Sequence, residues 1–135
     1  MEKTPVDLQN KLFYHPDKLL EFEYIKSLGM DVGMITNGTI FTDESIDIVV
    51  KNCTWVRISM DGGTPHTYNE IRKVPERHFH LALENLAKLI KRRDELGTDL
   101  TVGSGFLTSE LTTPTLLIYA KICKDIGINY IQIRP

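Results

Sequence analysis

Four apolar runs of strand length, each preceded by a stretch with helical spacing, constrain this chain more than any other feature. They are DVGMIT (31–36), WVRISM (55–60), LTVGSGFL (100–107) and INYIQI (128–133). A helix between two strands carries the chain back to the end of the sheet from which it started, so successive strands lie parallel. The order predicted is α-β-α-β-α-β-α-β. The fold class is α/β, with a parallel sheet of about four strands alternating with helices.

The helical stretches carry their own start and stop signals. Residues 16–28 (PDKLLEFEYIKSL) place Leu19, Leu20, Phe22, Ile25 and Leu28 near helical spacing, with Pro16 in the first turn and Gly29 just past the end. Residues 42–52 form a second helix capped by Thr42, with Asp43 and Glu44 beside its positive end. Ser45 is not the Glu or Gln of a capping box, and no box is expected there. The stretch 62–77 is polar and holds two prolines, which predicts a long loop with one helical turn near residues 68–72. Residues 79–96 form the clearest helix, with a Leu83, Leu86, Ala87, Ile90 stripe and Gly97 as its stop. A last helix runs from Thr113-Pro114 to Ile126. Residues 1–15 are expected to be a poorly structured lead-in to a single domain, 1–135.

Charge and composition exclude several classes of function. The chain has 135 residues and a net charge of −2, without the basic excess that marks nucleic-acid binding. No apolar run approaches the ~20 residues of a membrane span, and the first residues lack the apolar core of a signal peptide. Neither nucleic acid nor membrane is an expected partner, and a cytoplasmic location follows by default. Cys53 and Cys123 each follow helix-like sequence and read as buried thiols at helix ends. His15, His66, His78 and His80 lack carboxylates at ligand spacing; they read as structural or solvated, and no metal site is expected. Lys91-Arg92-Arg93 reads as a solvated helix end.

In parallel α/β folds, ligands lie beyond the carboxyl ends of the strands. Here those ends carry small and hydrogen-bonding residues, each with two readings. Asn37-Gly38 either makes a turn or lines a site. Ser59 and Asp61 share a strand face, suited equally to a ribose or amino-acid group and to loop amides. Gly103 and Gly105 also share a face, leaving room for a ligand or for close backbone approach. Arg134 either clamps an anion or is solvated. Tyr68, Glu70 and Arg72 lie in the long loop over the same end.

Taken in order, these pieces resemble the radical S-adenosylmethionine (radical SAM) superfamily, from about Leu20 to Pro135. MITNGT (34–39) is similar to the third barrel strand with its T-N-G ending, and VRISMDG (56–62) to the fourth, with R-I-S-x-D-G. YNEIR (68–72) and the F-x-x-x-L-E-N of residues 79–85 match the connection and helix that follow. LTVGSGFL resembles the fifth strand and GINYIQIRP (127–135) the sixth. The resemblance implies a partial, TIM-like half barrel, because a full βα barrel needs roughly 200 residues or more. It implies that Ser59 hydrogen-bonds the ribose of S-adenosylmethionine, while Asn37 and Asp61 shape the same edge. Arg72 is the basic residue implied to meet the cofactor carboxylate. Strands five and six, through Gly103, Ser104, Gln132 and Ile133, are implied to line the adenine.

The family's Cys-x-x-x-Cys-x-x-Cys loop, which holds a [4Fe-4S] cluster, is absent from this sequence, as is the glycine-rich end of strand two. The resemblance therefore implies a piece of an enzyme whose full form makes a 5′-deoxyadenosyl radical and abstracts hydrogen from a small-molecule or peptide substrate, an oxidoreductase. This chain alone is expected to be silent and to hold no cluster. Two alternatives are a non-catalytic α/β module binding a nucleoside or anion, and an unrelated flavodoxin-like domain. An unclosed sheet is further expected to self-associate through its open edges.

Overall fold

The computed structural model describes residues 16–135; the expected lead-in at 1–15, and His15 with it, lie outside the described residues. The elements run α1 (Pro16–Ser27), β1 (Gly33–Thr36), α2 (Asp43–Asn52), β2 (Trp55–Ser59), α3 (Pro65–Arg72), α4 (Arg77–Leu96), β3 (Thr101–Leu107), a 3-10 turn (Thr113–Thr115), α5 (Leu116–Ile126) and β4 (Tyr130–Arg134). The strands form one sheet in the order β1-β2-β3-β4, every pair parallel. The alternation read from the sequence is the alternation of the fold. No helix among the described residues is long and apolar enough to cross a membrane.

Side-chain alternation divides the sheet into two unlike faces. One face carries Met34, Val56, Ile58, Met60, Val102, Phe106 and Ile131. These pack into a core with Val49 and Val50 of α2, Tyr68 of α3, Phe79, Ala82, Leu86 and Leu89 of α4, and Tyr119 and Cys123 of α5. All helical side chains in that core lie against this one face. The other face carries Ile35, Trp55, Arg57, Ser59, Gly105, Tyr130 and Gln132, each partly or more exposed except Gly105. A parallel sheet normally has both faces covered. Here one is open.

Two expectations are corrected at the helix starts. Thr42 Oγ1 accepts from the Ser45 backbone N–H at 3.0 Å, and Ser45 Oγ accepts from the Thr42 N–H at 2.8 Å, so α2 does begin with a capping box. A serine hydroxyl reaches back as a Glu would, because it needs only one acceptor oxygen. The stretch 62–77 is likewise more ordered than a loop with one turn. It holds α3, eight residues long, opened by a second box between Thr64 and Thr67 and by Pro65 at the first helical position. The prolines that suggested a loop flank this helix instead of breaking it. Arg92 of α4 pairs with both oxygens of Asp47 on α2 and holds the carboxyl of Asp47 below its ordinary range.

Candidate functional site

Register sets the depth of each residue on the open face. Ile35, Arg57, Gly103 and Tyr130 pair across the four strands in one row. One step toward the carboxyl ends, Ser59, Gly105 and Gln132 form the next row. Asn37 follows Thr36, whose partner is Ile58, and so reaches the level of Ser59. Parallel pairing thus brings Asn37, Ser59 and Gln132 to one end of the sheet. Gly103 lies a row deeper, and its missing side chain leaves no gap, because the Tyr130 ring occupies the place a Cβ would take. The glycine at the level of Ser59 is Gly105. A Cβ there would fit in ordinary van der Waals contact, nearest to Arg57 at 3.6 Å and Ser59 at 3.9 Å.

The T-N-G turn is held from both sides. Asn37 Oδ1 accepts from the backbone N–H and the hydroxyl of Thr39, at 3.0 and 2.9 Å. Gly38 adopts φ +74, and a side chain there would strike Ile58. Its carbonyl accepts a 2.7 Å hydrogen bond from Nδ2 of buried Asn85 on α4. The N of the F-x-x-x-L-E-N pattern therefore anchors the turn, a role that spacing alone did not reveal.

Asp61 and Arg72 engage each other. Asp61 sits at φ 61, in the left-handed region that Asp tolerates better than most residues. Its Oδ1 accepts from the Leu107 N–H at 2.9 Å and its Oδ2 from Arg72 Nη1 at 3.1 Å. The carboxylate thereby clasps the end of β2 to the end of β3 and to α3. Arg72 also lies 5.7 Å from the Tyr68 ring centroid, and burial raises the Tyr68 phenol. Ser104 points into the core, its hydroxyl donating to the Ile58 carbonyl at 3.0 Å and sharing a 2.6 Å hydrogen bond with Tyr119. Only its backbone is available to the open face. Ile133 projects to the same side as Ile131 and is exposed.

Two buried side-chain atoms among the described residues lack a partner, Thr98 Oγ1 ahead of β3 and Gln132 Oε1 in the Ser59 row. The Ser59 hydroxyl makes no hydrogen bond among the described residues. Gln132 Oε1 is buried and has no donor. A buried acceptor without a donor costs free energy, and such groups in folded proteins usually mark a missing partner. Between Ser59 and Gln132 lies Gly105, where the absent side chain leaves room for about a methyl group beside Arg57. A slot of this kind fits a polar, hydroxyl- and amine-bearing ligand such as a nucleoside.

Sequence reasoning missed Arg57. It stands in the row below, its guanidinium 5.2 Å from the Trp55 ring centroid and 5.7 Å from that of Tyr130, with Nε donating to the Tyr130 hydroxyl at 3.2 Å. The alternation that puts Ser59 on the open face puts Arg57 there too, so the signal was present in R-I-S.

Thiols and histidines contribute nothing to this end of the sheet. Cys53 and Cys123 are free and buried, and burial pushes their thiols up to about 12 and about 11. Cys53 directly follows α2, whereas Cys123 lies inside α5 and not at its end. Burial beside Arg77 lowers the His78 imidazole and favours its neutral form. Among the described residues no group of three His, Cys, Asp or Glu side chains could hold a metal ion. The donors of an iron–sulfur cluster are not among them.

Comparison with known proteins agrees with this architecture. No curated protein matches the chain. Among solved structures, SuiB of Streptococcus suis bound to S-adenosylmethionine superposes with a TM-score of 0.65 at 14% identity, over 87% of this chain and 26% of SuiB. SuiB bound to its precursor peptide SuiA gives 0.66 at 12% identity, over 98% and 33%. A domain of the pyruvate-formate lyase-activating enzyme of Bacteroides vulgatus gives 0.53 at 14%, over 91% and 93%. At such identities the likeness is one of fold, and the chain spans about a quarter to a third of SuiB. The four-stranded open sheet is thus part of a TIM-like barrel. The family model of the radical SAM superfamily matches residues 9–111, more than half the chain. This chain belongs to the radical SAM superfamily.

Proposed function

We propose that this chain supplies part of the wall that holds the nucleoside of S-adenosylmethionine. The observation that carries the reading is the Ser59 row: a free hydroxyl, a glycine at Gly105 with no side chain of its own, and a buried amide oxygen without a donor, side by side. Ribose hydroxyls donate and accept, which suits Ser59. The exocyclic amine of adenine donates, which suits Gln132 Oε1, whereas Gly103, covered by the Tyr130 ring, takes no part in that edge. Asn37 and Asp61 shape the rim through the turn and clasp they build. Arg72 acts with Asp61 as a positioning residue; its remaining guanidinium donors face a ligand only secondarily.

The complete enzyme of such a chain would cleave S-adenosylmethionine at a four-iron cluster and abstract hydrogen from a substrate, for which the peptide bound to SuiB suggests a peptide. Three thiolates are needed to hold that cluster. The described residues hold two cysteines, both buried and no part of a group of three ligands, so we assign them cofactor holding and not electron delivery. Two free thiols suit a reducing cytoplasm.

Titration calorimetry with S-adenosylhomocysteine tests the reading. Saturable binding is expected, weakened about five- to tenfold by Ser59→Ala and by Gln132→Ala, the loss of one hydrogen bond each. A flat titration, or an affinity indifferent to both substitutions while circular dichroism is unchanged, would sink it.

A further inference from the structure

We propose that the open face carries a carboxylate-binding subsite centred on Arg57, one row below the nucleoside slot. Of the twelve strand residues that face this side, none is Asp or Glu, and the only charged ones are Arg57 and Arg134. Arg57 forms no ion pair among the described residues, whereas Arg72, Arg92 and Arg93 all do. Among the described residues its positive charge meets no carboxylate on this face.

The side chain is also held in place. Trp55 and Tyr130 flank the guanidinium, and the Tyr130 hydroxyl takes the Nε–H. Both rings are fixed in turn, because each lies over a glycine of the neighbouring strand, Trp55 over Gly33 and Tyr130 over Gly103. With Nε engaged, the two Nη groups remain, coplanar donors that match the two oxygens of a carboxylate. An arginine so fixed loses little further entropy on binding. The strand residues around it on this face, Ile35, Ser59, Gly105 and Gln132, are all neutral. A single guanidinium with neutral partners suits a monoanion better than a phosphate, which draws several cations.

The subsite rests on the ligand-binding reading of this face; it lies a row deeper than the nucleoside slot, and the carboxylate assigned to it is an acidic group of the substrate, with the methionyl end of the cofactor as the alternative under test. Three probes separate them. S-adenosylhomocysteine has nucleoside and carboxylate, 5′-methylthioadenosine has the nucleoside alone, and acetyl-glutamyl-amide the carboxylate alone. The readout is the Arg57 Nε–Hε resonance of the unaltered chain, followed by proton–nitrogen NMR, with affinities repeated in Arg57→Gln and Arg57→Lys.

Acetyl-glutamyl-amide is expected to shift the Arg57 resonance, and Arg57→Gln to weaken it about tenfold, with Arg57→Lys recovering part of the loss. Methylthioadenosine binding is expected to be unchanged in both variants. If Arg57→Gln weakens S-adenosylhomocysteine but not methylthioadenosine, Arg57 serves the cofactor and the substrate assignment is overturned; weakening of the acidic amide alone supports it. Binding of the amide without either nucleoside would support this subsite and count against the nucleoside slot. The proposal is also overturned if acetyl-glutamyl-amide leaves the Arg57 resonance in place, or if its affinity is the same in all three proteins.

Discussion

Asn85 illustrates how much of a site can depend on a residue that touches no ligand. Its amide spans from α4 to the carbonyl of Gly38, a bond of 2.7 Å in a buried setting. Asn85→Leu leaves that carbonyl without a donor, and the expected destabilisation is about 1–3 kcal/mol in urea unfolding. An unchanged midpoint would mean that water replaces the amide. The sequence displayed Asn85 only as the last letter of a helix pattern, since an i-to-far contact across forty-seven positions leaves no local trace. Ser59 and Arg57 were readable by alternation, because period two fixes which residues share a face. Ser104 was not readable as a core residue, because nothing local announces that Tyr119 will meet it. The depth of Gly103 against Gly105 depended on register with β4, which only pairing determines.

At the level of elements, strands and long helices were legible because apolar spacing and glycine stops agreed. The helix α3 was not. It is short and polar, and its start relies on a threonine pair in place of the usual Thr and Glu. Its placement matters, because Arg72 in its last turn meets Asp61, and Gly62 lies so close to the Tyr68 backbone that a side chain would collide with it. Thr64→Ala removes the side-chain acceptor at the helix start, with an expected loss of about 1 kcal/mol. Faster amide exchange confined to residues 65–72 should accompany it. Uniform loss of protection across the sheet would instead show that α3 is no separate unit.

Among the described residues the sheet has one open face, and β4 ends it with no strand beyond. Ile35 and Leu107 on that face are exposed, as are Leu117, Ile118 and Ile133 toward the β4 side. Unpaired edges and uncovered apolar residues favour association. Light scattering of the isolated chain is expected to give a mass above 15.4 kDa that rises with concentration. A constant monomer mass at high concentration would contradict this. Composition gave no warning of it, since an average hydrophobic content of 41% says nothing about where that surface lies.

The rings seated over Gly33 and Gly103 also bear on how the strands find their alignment. Sliding a strand by two positions keeps every side chain on its proper face, so hydrophobicity alone cannot forbid it. Moved two places along β1, the indole of Trp55 would land on Ile35 instead of on an empty backbone. The phenol of Tyr130 tolerates a shift toward Gly105 but not toward Thr101. Like a key cut on one side, the first joint blocks that error and the second blocks only half of its own.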